Sequence, residues 1–466
     1  MTVNAATDAP SSAADVDALP GLRRVFATGR TKPLRWRLEQ LAAIESLCDE
    51  QESAIAGALA KDLGRPPVEA WLGDIASTKG EATYARRHLR KWVRRSRTPL
   101  PLAQLPGRGW VQYDPLGVVL VIGPWNYPFY LSIAPLVAAI SAGNCAVLKP
   151  SELAPATSQL LSEIVPKYLD SEAVRVIEGD GGTTQSLIAQ GFDHVLFTGG
   201  TEIGRKIMAA AAPTLTPVTL ELGGKSPVLV TADADLDVAA RRVAWVKLMN
   251  SGQTCIAPDY VLVDRTVAGA FTDKVVASIA AFRSDEAGGG QRIVNQRQFD
   301  RLTALIDATS GTIVAGGHGD SETLSIEPTV IRDPAPTDSV MADEIFGPIL
   351  PILSVESVQA SVEFVNSRPK PLALYVFTGS QRVGRDIIDQ IPSGGAVINH
   401  IAMHCLAPQL PFGGVGASGI GQYHGRWGFE ALSHRRAVLA KSARPDLRLT
   451  YPPYTDRAVK IMRRVF

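Results

Sequence analysis

The feature that most constrains this chain is a series of short, almost wholly apolar runs separated by helix-length segments between residues 117 and 212. GVVLVIG (117–123), CAVLK (145–149), VRVIEG (174–179) and HVLFTG (194–199) each have the length and composition of a strand buried on both faces. Helix candidates at 131–142, 154–169, 186–190 and 203–212 alternate with them. Such alternation predicts a parallel sheet with helices on its faces, and ligands at the carboxyl ends of its strands. The series restarts after VTLELGG (218–224), with a strand in SPVLV, a helix at 238–249, a strand in DYVLVD (259–264) and a helix at 271–282. Two series predict two α/β units. Residues 21–93 read as helical, with Leu38, Leu41, Ile44 and Leu47 at helical spacing. TPLPLAQLPG (98–107) reads as a connector, and the chain from about 399 onward as irregular, with a glycine-rich stretch at 410–425.

Charge and cysteine content exclude several function classes. The formal net charge of +1 gives no global reason to bind nucleic acid or a membrane. One local exception is YARRHLRKWVRRSR (84–97), which reads either as a solvated helix face or as a patch for phosphate or acidic lipid. The four cysteines are far apart, form no CxxC pair and suit a reducing compartment. His400, His404 and Cys405 are too few for a zinc site. The first 20 residues have neither a basic residue nor an apolar run, so they read as a frayed arm rather than a secretory signal. The apolar stretch 129–148 has the length of a membrane span, but Pro135 and Gly143-Asn144 divide it into helix, turn and strand. No transmembrane anchor is expected, and a cytoplasmic protein is.

Three nucleotide or nucleophile motifs nearly match. GGTEIGRK (199–206) and LGGKS (222–226) each lack part of a P-loop, and GASGI (416–420) misplaces one glycine of a nucleophile elbow. Gly199-Gly200-Thr201-Glu202-Ile203-Gly204 fails the GxGxxG test at Thr201, yet it follows a buried strand and opens a helix. A helix start of that kind offers unpaired N–H groups to a phosphate, or is a plain tight turn. Cys255, in MNSGQTCIAPDY (249–260), sits among small and polar residues, a context that allows access to a thiolate. Glu221 ends an apolar run, where burial should raise its pKa toward that of a useful base. Asn126, in GPWNYPF, carries an amide able to stabilise a developing oxyanion, or simply forms a turn.

Taken together, these segments resemble the aldehyde dehydrogenase superfamily, and its class 3 branch in particular. PLGVVLVIGPWNYPF (115–129), LKPSE (148–152), FTGGTEIG (197–204), PVTLELGGKSP (217–227), MNSGQTCIAPDY, DEIFGP (343–348), RPKPLALYVF (368–377), LPFGGVGASGIGQYHG (410–425), SHRR (433–436) and YPPYT (451–455) carry the resemblance in order. It implies a modified Rossmann cofactor domain (21–93 and 115–221), an α/β catalytic domain (222–398) and a bridging or oligomerisation element (94–114 and 399–466), after an arm at 1–20. It implies Cys255 as nucleophile, Glu221 as general base and Asn126 as oxyanion donor, with NAD or NADP as cofactor and no metal. The residues implied to contact the cofactor are Trp125, Lys149, Glu152, Phe197, Gly199, Gly200, Thr201, Gly204, Leu222, Glu344 and Phe346. The implied substrates are medium- or long-chain aliphatic or aromatic aldehydes, and the implied assembly is a homodimer.

Two departures affect the substrate side. His400 stands where class 3 proteins usually have Asp, and Ala407-Pro408-Gln409 precedes the glycine motif. Membrane-anchored relatives carry a long apolar tail after YPPYT. Here DRAVKIMRRVF follows, with an apolar stripe at Ala458, Ile461, Met462 and Val465. The alternatives are a semialdehyde-specific or CoA-acylating enzyme, a non-catalytic protein on the same fold and, on the near-miss P-loops, a phosphoryl-transfer enzyme.

Overall fold

The computed structural model describes residues 18–283, 291–444, 446 and 448–465. Most of the expected arm (1–17) and the side chain of Val465 lie outside the described residues.

The first apolar series forms a six-stranded sheet. Its order is Gly419–Ile420, Val218–Glu221, His194–Thr198, Val118–Ile122, Cys145–Lys149 and Val174–Val176. Its last five strands pair in parallel, and the two-residue edge strand is antiparallel. Chain order runs outward from Val118–Ile122 in one direction, then returns to its other side with His194–Thr198. That reversal leaves a crevice at the carboxyl ends of these two neighbours. All five residues of each of these strands are buried, as continuous apolar runs require. The stretch 129–148 divides as expected, into the fully buried helix Tyr130–Ala142 and the strand Cys145–Lys149. Among the described residues, no helix is long and apolar enough to cross a membrane.

The second series forms a seven-stranded sheet, ordered Thr312–Ala315, Thr329–Arg332, Ile349–Val355, Tyr260–Asp264, Pro227–Val230, Ala373–Phe377 and Gly395–Ile398. Only its first strand is antiparallel to its neighbour. The helices Leu236–Leu248 and Ala268–Arg283 pack together on it.

The C-terminal region departs from the irregular reading. Ser433–Lys441 is a nine-residue strand that pairs along its whole length with Gly107–Pro115. Ser96–Thr98 adds a third antiparallel strand. The helix Gly425–Ala431 precedes it. Ser433–Lys441 is mostly exposed and rich in charge, so it lacks the apolar alternation that marks a strand with one buried face. Its partner strand, Gly107–Pro115, far earlier in the chain, supplies the ladder.

Candidate active site

Asn126 follows the strand Val118–Ile122 and is buried. Its Nδ2 donates to the Gln253 carbonyl at 3.1 Å, which ties it to the loop that carries Cys255. Its own carbonyl accepts from Arg65 and, at 2.9 Å, from Asn250 Nδ2. Arg65 and Asp74 form a fully buried ion pair beneath this turn. Asp74 Oδ1 also accepts the N–H groups of Phe129 (3.1 Å) and Tyr130 (2.9 Å), while the Arg65 guanidinium lies 4.5 Å from the Tyr127 ring centre. The GPWNYPF turn is thus fixed from behind, leaving one amide hydrogen of Asn126 for a further acceptor.

Cys255 sits on a partly buried loop. Two non-glycine residues before it, Asn250 (φ 51°) and Ser251 (φ 50°), are left-handed, as is Gly252 (φ 69°). Strain of this kind persists only where the surroundings over-determine the backbone. Here Asn250 Nδ2 donates to the Gln253 carbonyl at 3.0 Å, and Gln253 Nε2 returns a bond to the Asn250 carbonyl at 3.0 Å. Gly252 has no alternative, because a Cβ there would lie 2.2 Å from the Gly347 carbonyl oxygen. Burial, and then the nearby Glu344, Cys405 and Glu221, push the Cys255 thiol up.

Glu221 ends the strand Val218–Glu221 and is 3% exposed. Neither carboxyl oxygen has a hydrogen-bond partner. Desolvation therefore raises its pKa well above the ordinary carboxylate range. The glycine-rich C-terminal segment covers this edge, with Gly419 opposite Glu221 and Leu222 N–H donating to the Ser418 carbonyl at 3.1 Å.

The expected cofactor residues gather around the crevice. Lys149, 2% exposed at the carboxyl end of its strand, pairs with Glu152 at 2.6 Å. Phe197 is buried on the strand His194–Thr198, on the other side of Val118–Ile122. Gly199 N–H donates to the Glu221 carbonyl at 3.0 Å, and Gly200 caps the helix Thr201–Ala211 with no side-chain cap. Thr201 Oγ1 donates to the Ala417 carbonyl at 3.3 Å, and buried Gly204 lies one turn into the helix, against Leu222. From the other sheet, the Phe346 ring meets Trp125 edge-on at 5.3 Å. Glu344 is half-buried, and a Cβ on Gly223 would lie 2.0 Å from its Oε2. Burial first, and then the Asp259 charge, raise the Glu344 carboxyl to about 8.

Sequence reasoning missed the groups that hold these loops. Lys225 Nζ binds Asp259 Oδ2 (2.5 Å) and the carbonyls of Val340 (2.8 Å) and Asp343 (2.9 Å), while Asp259 Oδ1 accepts from Ile345 N–H at 2.9 Å. Buried Lys247 donates to the Pro258 carbonyl at 3.0 Å. Lys225 stood in plain view in LGGKS, where it was weighed only as a P-loop lysine. Arg65 and Asp74 carry no local signal, because their partners are backbone groups made adjacent by the fold.

The aldehyde dehydrogenase family model matches residues 4–438. The chain belongs to that family. It is 43% identical over 443 residues to aldehyde dehydrogenase family 3 member A2 of Mus musculus, covering 94% of this chain and 91% of that one. It is 42% identical over 442 residues to the Rattus norvegicus aldehyde dehydrogenase named dimeric and NADP-preferring, covering 94% and 97%. A substrate-bound Staphylococcus aureus AldH superposes with a TM-score of 0.92 at 38% identity, covering 96% and 98% of the chains. The P. syringae indole-3-acetaldehyde dehydrogenase in complex with NAD+ gives 0.87 at 26% identity, covering 93% and 90%. The relatives place the chain in class 3, and the fold is that of an aldehyde dehydrogenase.

Proposed function

We propose that this protein oxidises medium- or long-chain aliphatic or aromatic aldehydes to carboxylic acids with NAD or NADP, working as a cytoplasmic homodimer. Supporting the cofactor assignment are the NAD+ named for one structural neighbour and the NADP preference and dimer named for one relative. The crevice chemistry fits a dinucleotide: an uncapped helix N-terminus at Gly200 for phosphate, and the carboxylates Glu152 and Glu344 for ribose hydroxyls. Trp125 and Phe346 suit the ring end of the site. The bound nicotinamide supplies the hydride acceptor. On this reading residues 21–93 and 115–221 hold the cofactor, 222–398 carry the nucleophile, and 94–114 with 399–466 bridge the subunits.

Cys255 attacks the aldehyde carbon and becomes a thiohemiacetal, then a thioester once hydride has left. The Asn126 amide and the Cys255 N–H hold the oxyanion. Glu221 takes a proton from the water that releases the acid. The observation that carries this reading is the orphaned Glu221 carboxyl: a buried acid with neither oxygen satisfied costs free energy, and a cost kept in the crevice points to use by the site. The aldehyde side is bounded by Tyr375, whose OH donates to the Ile256 carbonyl at 2.6 Å, and by His404 and Phe412.

The test is reduced-nicotinamide absorbance over a panel of short, long and aromatic aldehydes with NAD and with NADP. Cys255→Ala should lower turnover at least ~10⁴-fold. Wild-type turnover in that variant would overturn the mechanism.

A further inference from the structure

The helix Ser77–Trp92 has two unlike faces. Thr78, Glu81, Ala82, Ala85, Leu89 and Trp92 are buried against the core. Arg87, Arg90 and Lys91 recur at i, i+3 and i+4 on the other face, and Arg94 continues the stripe just past the helix end; all four are exposed. Arg95 and Arg97 follow, also exposed. Arg97 lies opposite Trp110 in the antiparallel ladder, so exposed Arg108, two residues from Trp110, lies on the same sheet face.

Among the described residues, no carboxylate neutralises this patch. The acids of the helix packed against it, Leu34–Glu50, are already taken: Glu39 by Arg35, Glu45 by Arg86, Asp49 by Lys79 and Glu50 by the Tyr168 hydroxyl. On the sheet, Asp114 is taken by Arg436. Among the described residues, none of the seven exposed basic side chains has a carboxylate at ion-pair distance, although the whole chain is nearly neutral. Beside Arg90 a groove of about 530 Å³ opens between the helices, lined by Leu34, Leu38 and Ala42 and rimmed by the Arg35–Glu39 ion pair and Arg86. Like charges held together against their own repulsion, next to apolar surface, complement an interface that is anionic outside and apolar beneath.

We propose that this face docks on an anionic lipid bilayer, with the Arg87/Arg90/Lys91 stripe against the headgroups and the groove meeting the apolar layer. A single-stranded nucleic acid fits less well, because single strands need aromatic faces for base stacking, and a duplex, bound through phosphates alone, makes no use of the apolar groove. The Tyr84 and His88 rings pack against each other at 4.2 Å with their planes tilted by 36°, Trp92 is buried, and the Arg95 guanidinium covers Trp110 at 5.4 Å. The surface stands on charge and shape alone. Where the aldehyde chemistry proposed above also holds, docking brings the enzyme to long-chain aldehydes dissolved in the bilayer.

The experiment is co-sedimentation of the full chain with vesicles of phosphatidylcholine alone or with about 30% phosphatidylserine, at about 50 mM and about 0.5 M salt. Binding should require phosphatidylserine and be lost at high salt. Arg87→Gln/Arg90→Gln/Lys91→Gln should weaken it about a hundredfold, at roughly fivefold per residue. Arg332→Gln/Arg382→Gln/Arg385→Gln, which removes equal charge elsewhere, should not. Neither variant should change turnover of a short, soluble aldehyde. Equal binding to uncharged vesicles, no binding, or an unaffected stripe variant overturns the proposal. So does tighter binding to a duplex or single-stranded oligonucleotide than to the vesicles. A changed sedimentation coefficient in the stripe variant would assign the face to a second copy instead. Vesicle binding without nicotinamide reduction would leave this surface standing and remove the dehydrogenase reading.

Discussion

The two large sheets supply one site in opposite ways. The six-stranded sheet delivers Asn126, Lys149, Gly199 and Glu221 at or just beyond the carboxyl ends of its strands. The seven-stranded sheet delivers Cys255 and Glu344 on segments that run into the amino ends of Tyr260–Asp264 and Ile349–Val355. A side chain at a strand end is positioned by the ladder behind it. A side chain on an entering loop needs its own supports, and these loops have them: left-handed backbone at Asn250 and Ser251, a glycine with no room for a Cβ and buried Lys247 holding a carbonyl on the Cys255 side, and half-buried Lys225 holding carbonyls on the Glu344 side. The contrast separates chemistry from support. Substitution on the first side should change the reaction and spare the fold, and substitution on the second should disturb both.

Glu221→Gln is the sharpest case and should have the largest effect. Turnover should fall by roughly 10²–10⁴-fold while the first, acylating turnover survives as a burst in stopped-flow absorbance. Because burial raises the Glu221 carboxyl, wild-type deacylation should climb with pH well above the ordinary carboxylate range, and the variant should not. The melting temperature should not fall, and should exceed that of wild type as pH rises above 4.5, since an isosteric amide replaces a carboxyl that burial disfavours as the anion and that has no partner. A variant with normal deacylation would remove the assigned base.

Next in size is the support beneath Asn126. Arg65→Met strands Asp74, which is fully buried, and should cost about 3–5 kcal/mol in denaturant unfolding. Arg65→Met/Asp74→Asn keeps an acceptor for the Phe129 and Tyr130 N–H groups and should regain much of that loss. It should remain slow in turnover, because the bond to the Asn126 carbonyl is still missing. Full recovery of both would show that the ion pair does not position the turn.

Gly252→Ala tests the strained side. At φ 69°, with a backbone oxygen 2.2 Å from the new Cβ, the loop must move. The expected loss is about 1–3 kcal/mol, with an altered rate of Cys255 alkylation. Unchanged stability and alkylation would mean the loop is not held by that fit.

This asymmetry also explains what the sequence made legible. Residues near the carboxyl ends of the first sheet's strands are announced by apolar runs, and the switch point follows from strand order. Cys255 and Glu344 enter from loops, so periodicity could not place them and only their motifs did. The strand Ser433–Lys441 was missed because its charges face solvent and its ladder comes from a distant segment. Arg65, Asp74, Lys225 and Asp259 were missed because their roles depend on backbone carbonyls and amides that only the folded chain brings within reach.

The smallest effect compares the two raised carboxyls. Glu344 is half-buried, with a pKa of about 8 set first by desolvation and then by Asp259. Its folded value exceeds the reference of 4.5, so the folded state binds the proton more tightly than the unfolded state. Below that reference both states are protonated and nothing is lost. As pH rises from 4.5 to about 8, the folded state loses stability relative to the unfolded one, and the loss is complete above that window. Glu344→Gln removes the penalty. Its melting temperature should match wild type near the lower bound and exceed it by roughly 1–3 °C above the upper one, a modest gain because solvent reaches the group. A gap that is constant with pH would mean that Glu344 is not desolvated on its loop. A gap of opposite sign would mean that the Gly224 N–H and then the Lys225 charge, which oppose the raised value, outweigh burial there. The seven-stranded sheet would then hold its carboxyl by a hydrogen bond and charge, where the six-stranded sheet leaves Glu221 with no partner at all.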